Sequence, residues 1–160
     1  MRVYAPIVYS MPSLKPETCS CLALRQATRL TTQLYDQHLA PSGLRTTQFS
    51  ILAKLARLGP STINALAAAL VVDRSTLGRN ILPLERDGLI RIEASAADAR
   101  SKELHVTRKG AARLDAALEH WTEAQKRFEA AYGKERAAQL RGLLHGVVTS
   151  ELGATPLTDE

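Results

Sequence analysis

The chain has 160 residues, 45% of them hydrophobic, and a formal net charge of +5. This length and apolar content exclude a chain disordered throughout and fit one globular domain with helical extensions. The basic balance favours a polyanionic partner, and two cysteines, Cys19 and Cys21 in ETCSC, are too few and too close together for an extracellular disulfide framework, so a reducing cytosol fits better.

Residues 1–16 read as a flexible arm. Over 17–45 the residues Leu22, Ala23, Ala27, Leu30, Leu34 and Tyr35 recur at three- and four-residue spacing, which predicts an amphipathic helix that APSGL (Ala40 to Leu44) stops. Thr46 or Thr47 is expected to cap a second helix. Its Phe49, Leu52, Ala53 and Ala56 share a face, and Gly59 followed by Pro60 closes it. Ser61 or Thr62 then caps a short third helix with Ile63, Leu66, Ala67 and Leu70 inward.

Asp73 is expected to cap the fourth helix by accepting the N–H groups of Ser75 and Thr76. Leu77, Ile81 and Leu84 form its buried stripe, leaving Arg74, Ser75, Arg79 and Asn80 to project elsewhere. Pro83 removes one helical hydrogen bond, so a bend or distorted turn is expected between Arg79 and Pro83. Gly88 ends the helix. LIRIEA (89–94) and KELHVT (102–107) alternate like strands around the turn-rich SAADARS, which predicts a β-hairpin.

Thr107 can cap a long helix whose Leu114, Leu118, Trp121, Gln125, Phe128 and Tyr132 form a seam. A last helix carries Ala137, Leu140, Leu143, Leu144, Val147 and Val148, and residues 153–160 read as a flexible tail. The organisation is thus a helix over 17–45, a mixed unit over 46–107 and a helical pair over 108–152. Two short helices followed by a charged hairpin make a winged helix-turn-helix, a mainly α fold with a small β wing. The second short helix of that motif places its N-terminal residues at base edges in the major groove.

The composition of the fourth helix then acquires a reason. Arg74 and Arg79 can offer paired donors to guanine or phosphate, and Asn80 can serve adenine or phosphate. Ser75 and Thr76 are short enough to let the backbone come close. In the wing, Arg100 suits a narrow minor groove with Asp98 holding its guanidinium, while Lys102 suits a phosphate. No G-x-S-x-G, Walker loop, dinucleotide fingerprint or H-E-x-x-H occurs, so an enzyme is not expected. No cofactor is expected, and His38, His105, His120 and His145 show no metal-ligand spacing. No stretch has the roughly 18 apolar residues a transmembrane helix needs, so no membrane partner is expected.

The segment DRSTLGRNILPLERDGLI followed by DARSKELHVTRKG resembles the MarR family of bacterial transcriptional regulators. Val106 stands where that family usually has a leucine. The resemblance implies a homodimer joined through its first and last two helices, reading a pseudo-palindromic stretch of double-stranded DNA as a repressor. It often implies release by a small aromatic acid or phenol bound near the junction, for which Tyr35, His38 and Trp121 are candidates here.

An alternative is oxidant sensing, because the peroxide-sensing branch of the family carries a reactive cysteine near the start of its first helix. Cys21 is similar in position, with Tyr35 as a hydroxyl partner and Cys19 beside it. Arg25 and Thr46 stand where that branch has tyrosines, and the last helices carry no resolving cysteine. If both cysteines were helical, positions i and i+2 would point about 200° apart and could not bridge. A third reading is a non-specific architectural DNA binder.

Overall fold

The computed structural model describes residues 15–95 and 101–153. Of the expected arm over 1–16, residues 1–14 lie outside the described residues, as do the hairpin tip with Asp98 and Arg100 and most of the tail, while Pro16 already opens a short 3-10 turn. Helix α1 (Ser20–Leu39) follows a short turn, and α2 (Thr46–Leu58), β1 (Ser61–Thr62), α3 (Ile63–Leu70) and α4 (Arg74–Arg86) follow in order. Strands β2 (Ile90–Ala94) and β3 (Lys102–Val106) then lead into α5 (Arg108–Tyr132) and α6 (Lys134–Val148). The fold is mainly helical with a three-stranded antiparallel sheet, as a winged helix-turn-helix requires.

The core lies in the winged unit. Leu52 and Leu55 of α2, Leu66 of α3, Leu77 and Leu84 of α4 and Leu104 of β3 are at most 1% exposed. Thr62 caps α3 by accepting the Ala65 N–H at 3.2 Å. The hairpin pairs Ile90 with Val106 and Ala94 with Lys102, which turns Ile90, Ile92 and Leu104 toward the helices. Strand β1 was not foreseen. It adds two residues to the edge of the sheet, Ser61 opposite Leu104 and Thr62 opposite Glu103, too few to show any alternation.

The cap of α2 also differs from expectation. Arg45 is the cap residue, its N–H accepted by Gln48 Oε1 at 3.0 Å. Thr46 begins the helix and gives both its N–H and its hydroxyl to Asp36 Oδ1, each at 2.7 Å. An α1 carboxylate therefore stands in for a local side-chain cap and fixes the entry of α2. Helix α4 is continuous from Arg74 through Pro83 to Arg86, so the proline does not interrupt it.

The long helix meets expectation at its start. Thr107 Oγ1 accepts the Gly110 N–H at 3.0 Å and donates to the Gly88 carbonyl at 2.7 Å, so one side chain ends the wing and opens α5. Further along, the seam is shifted. The buried α5 positions are Gly110, Leu114, Ala117 and Ala124, while Leu118 is 45% exposed and Tyr132 lies at the surface. Small residues lie inward because α1 packs along this face of α5. On α6 only Ala137 is buried.

Candidate nucleic-acid interface

The start of α4 is built by one carboxylate. Asp73 Oδ1 accepts the Thr76 N–H at 2.7 Å and the Ser75 hydroxyl at 2.6 Å. Ser75 therefore contributes its hydroxyl where its N–H was expected. The Ser75 hydroxyl and Thr76 hold the Asp73 carboxyl well below the usual carboxylate range. The cap therefore stays charged well below neutral pH, and the Ser75 oxygen retains lone pairs for an incoming donor.

Three of the candidate side chains stand clear of the core on this scaffold. Arg74, Ser75 and Arg79 are exposed, whereas Thr76 and Asn80 are half-buried at the edge of the Leu77–Ile81–Leu84 stripe. Arg79 Nη2 donates to Thr76 Oγ1 at 3.2 Å, which lays the guanidinium along the first turn and leaves its other N–H groups outward. Leu84, Leu89, Ile90 and Leu104 share one core, so α4 and the hairpin form a rigid pair. Lys102 is exposed at the first position of β3, at the tip end of the hairpin. The carboxylates behind it are occupied: Ser95 Oγ donates to Glu103 Oε1 at 2.7 Å, and Arg91 pairs with Glu93 at 3.1 Å.

The candidate ligand residues separate. Trp121 stacks on Phe49 with ring centroids 6.1 Å apart and planes 14° from parallel. The pair lines an apolar cleft of about 400 Å³ with Ala53, Leu70 and Leu118, rimmed by Lys54 and Arg57. Tyr35 and His38 do not line it. Tyr35 donates its hydroxyl to Gln125 Oε1, and Gln125 Nε2 donates on to Glu129 at 3.1 Å. Burial pushes the Tyr35 hydroxyl up in pKa, keeping it a donor. His38 Nδ1 is engaged by the Leu34 carbonyl at 2.8 Å. Phe49 was legible as a core residue of α2, but nothing in sequence spacing brings Lys54 and Arg57 to the same opening as Trp121.

The two cysteines differ in place. Cys19 precedes α1 in extended backbone as its cap, its sulfur accepting the Leu22 N–H at 3.4 Å, while Cys21 is in the first turn. The helical argument against a bridge between them therefore loses its premise. Both are free and exposed.

A family model described as MarR family matches residues 44–102. The chain is 39% identical to the Mycobacterium tuberculosis transcriptional regulator MosR, solved in complex with DNA, covering 82% of this chain and 99% of that one with a TM-score of 0.68. The chain belongs to the MarR family. A probable transcriptional regulator from Pseudomonas aeruginosa is 27% identical, with 83% of this chain and 99% of that one covered and a TM-score of 0.76. Rhodococcus jostii CouR bound to p-coumaroyl-CoA is 21% identical, with 92% and 100% covered and a TM-score of 0.71, and shows the fold alone. A comparison with curated protein sequences gave no match. Membership of the MarR family makes this chain a DNA-binding transcriptional regulator. Among the described residues, no helix is long and apolar enough to cross a membrane.

Proposed function

We propose that the protein is a homodimeric repressor that reads a pseudo-palindromic operator through α4 and the wing and lets go when a small aromatic acid binds. The observation that carries the reading is the start of α4. An exposed Arg74, Ser75 and Arg79 stand on a capped helix end that adds its own partial positive charge. In this reading Arg79 and Asn80 address base edges, Arg74 and Lys102 address phosphates, and Asp98 and Arg100 complete the wing contact.

The dimer rests on the apolar surface that the chain leaves open. Leu143 of α6 and Leu152, in the short turn after it, are 71% and 81% exposed, and Leu144, Val147 and Val148 of α6 also face water, together with Leu22, Leu24 and Leu30 of α1. A monomer does not keep such a ridge wet without reason, and a second copy of the same ridge covers it. For the effector, the stacked Phe49 and Trp121 suit a planar ring, and Lys54 and Arg57 suit its carboxylate.

The deciding experiment is fluorescence anisotropy at near-physiological salt, with reduced protein titrated onto the DNA upstream of its own gene and onto a scrambled duplex. A regulator prefers its operator by about 10³ or more. Equal affinity for unrelated duplexes, with a purely electrostatic salt slope, marks an architectural binder.

Oxidant sensing is a second reading, favoured by the two exposed thiols at the start of α1. A peroxide would convert one thiolate to a sulfenic acid as its O–O bond breaks, the leaving hydroxide or alkoxide taking a proton from solvent to become water or an alcohol. Peroxide should then release the DNA, and a Cys19→Ser, Cys21→Ser double variant should be insensitive. Release that persists in the double variant rules this reading out.

A further inference from the structure

Two residues beside the start of α4 violate local backbone preferences in opposite senses. Gly78 lies inside the helix with ordinary helical backbone, and a Cβ built there meets nothing within 4 Å. Alanine would make a better helix at no steric cost to the fold. Val71, in the turn before α4, has φ 55° and ψ 50° and is the one non-glycine with positive φ among the described residues. Its N–H bonds to Ala68 O and that of Val72 to Ala67 O, the helix-ending pattern in which glycine is favoured. A β-branched residue is strained there, and Val71 is 64% exposed, so no burial offsets the strain.

The other helix-interior glycines indicate what such a choice means. Gly110 has an internal reason, since a Cβ there would run into the Leu89 carbonyl. Gly142 and Gly146 are open like Gly78, and they lie on α6 among the exposed Leu143, Leu144 and Val147. The open glycines thus sit on the two surfaces proposed to meet another macromolecule. On α4, Gly78 is half-buried, three residues from the exposed Ser75 and next to the exposed Arg79.

We infer that Gly78 and Val71 are specificity-determining contacts to DNA: Gly78 lets the α4 backbone approach the floor of the major groove, and Val71 sets its methyl groups against thymine C5-methyl groups. The inference rests on α4 being the reading helix. Apolar contact with the thymine methyl is one of the ways the major groove is read, and it needs an exposed, rigid hydrocarbon near the helix start. Val71 is that group: the end of α3 requires the left-handed backbone there, and glycine would meet that requirement without the strain that valine carries.

The test uses the full-length protein and a duplex selected by it from a random library. Gly78→Ala and Val71→Gly should each raise the thermal midpoint, by about 2–4 °C for a chain of this size, while weakening binding about tenfold or more. Replacing thymines one at a time by uracil should weaken the wild type at particular positions and leave Val71→Gly unaffected there. Wild-type affinity in both variants, or the same uracil profile for wild type and Val71→Gly, overturns the inference. Arg79→Ala is measured alongside. If it also binds like the wild type, the reading of α4 beneath the inference fails as well; if it alone binds weakly, only the inference fails.

Discussion

The winged unit and the α1–α6 end of the molecule spend their apolar residues differently. In the winged unit leucines from four elements close on one another, and Leu66, Leu77, Leu84 and Leu104 have no exposed surface at all. At the other end, α6 buries only Ala137, and α1 buries only Leu39 at its far end. The first region is complete within one chain, whereas the second has the composition of a core with one wall missing. Stability of the wing should therefore depend on its own packing, and stability of α1 and α6 on the concentration of the chain.

The largest effect should come from breaking the complete region. Leu84→Ala, which empties a fully buried site, should cost about 2–5 kcal/mol and lower the thermal midpoint at every protein concentration. Gly110→Ala should follow, at about 1–3 kcal/mol, because the new methyl group collides with the Leu89 carbonyl and the α5–wing joint has to open. Both are read by thermal denaturation. The incomplete region should respond otherwise: Leu143→Glu should leave circular dichroism close to wild type at high concentration while light scattering reports a monomer mass. A dimer mass for that variant would show that α6 is not the missing wall.

Smaller effects separate the candidate contacts within the winged unit. Arg79→Ala should reduce discrimination among operator variants by about 1–3 kcal/mol at the position it reads, whereas Lys102→Ala should weaken all duplexes alike and lower the salt slope by about one. Equal loss of discrimination from both would remove the division into base reader and phosphate contact. The smallest effect concerns pH. The folded Asp73 carboxyl titrates below its unfolded value, so its contribution to stability is present above the ordinary carboxylate range and is lost only as pH falls through the lower folded value. The α4 cap should contribute nothing to any change in operator affinity between about pH 5 and 8, and Asp73→Asn should flatten none of it.

What the sequence disclosed follows from how local each signal is. Asp73, Thr62 and Thr107 act within three residues of themselves, and all three caps were legible. The α2 cap was misplaced because its acceptor, Asp36, lies ten residues back on another helix. The α5 seam was read from its large residues, but a helix packed close to α1 buries small ones, and Ala117 and Ala124 carry no periodic signal strong enough to compete with Leu118 and Gln125. The arginines proposed to face DNA stood out by charge. Gly78 and Val71 did not, because their oddity appears only when the backbone angle and the empty space around them are known. The cleft lined by Lys54, Arg57 and Trp121 depends on how α2 meets α5, which no spacing within either helix reveals.

Thr107 and Gly110 together have a mechanical consequence. With the threonine hydroxyl held by the wing and the glycine pressed against it, the hairpin and α5 cannot turn independently. Helix α5 has 25 residues and so is a rod about 37 Å long, rigidly fixed to the wing at one end. A tilt of about 10° imposed at its far end would carry the wing through about 6 Å, a large fraction of the roughly 12 Å width of a major groove. The joint thus welds the wing to a long arm, so in the proposed dimer a ligand or a second subunit need tilt this rod only slightly to put the two reading heads out of phase with the turns of the double helix.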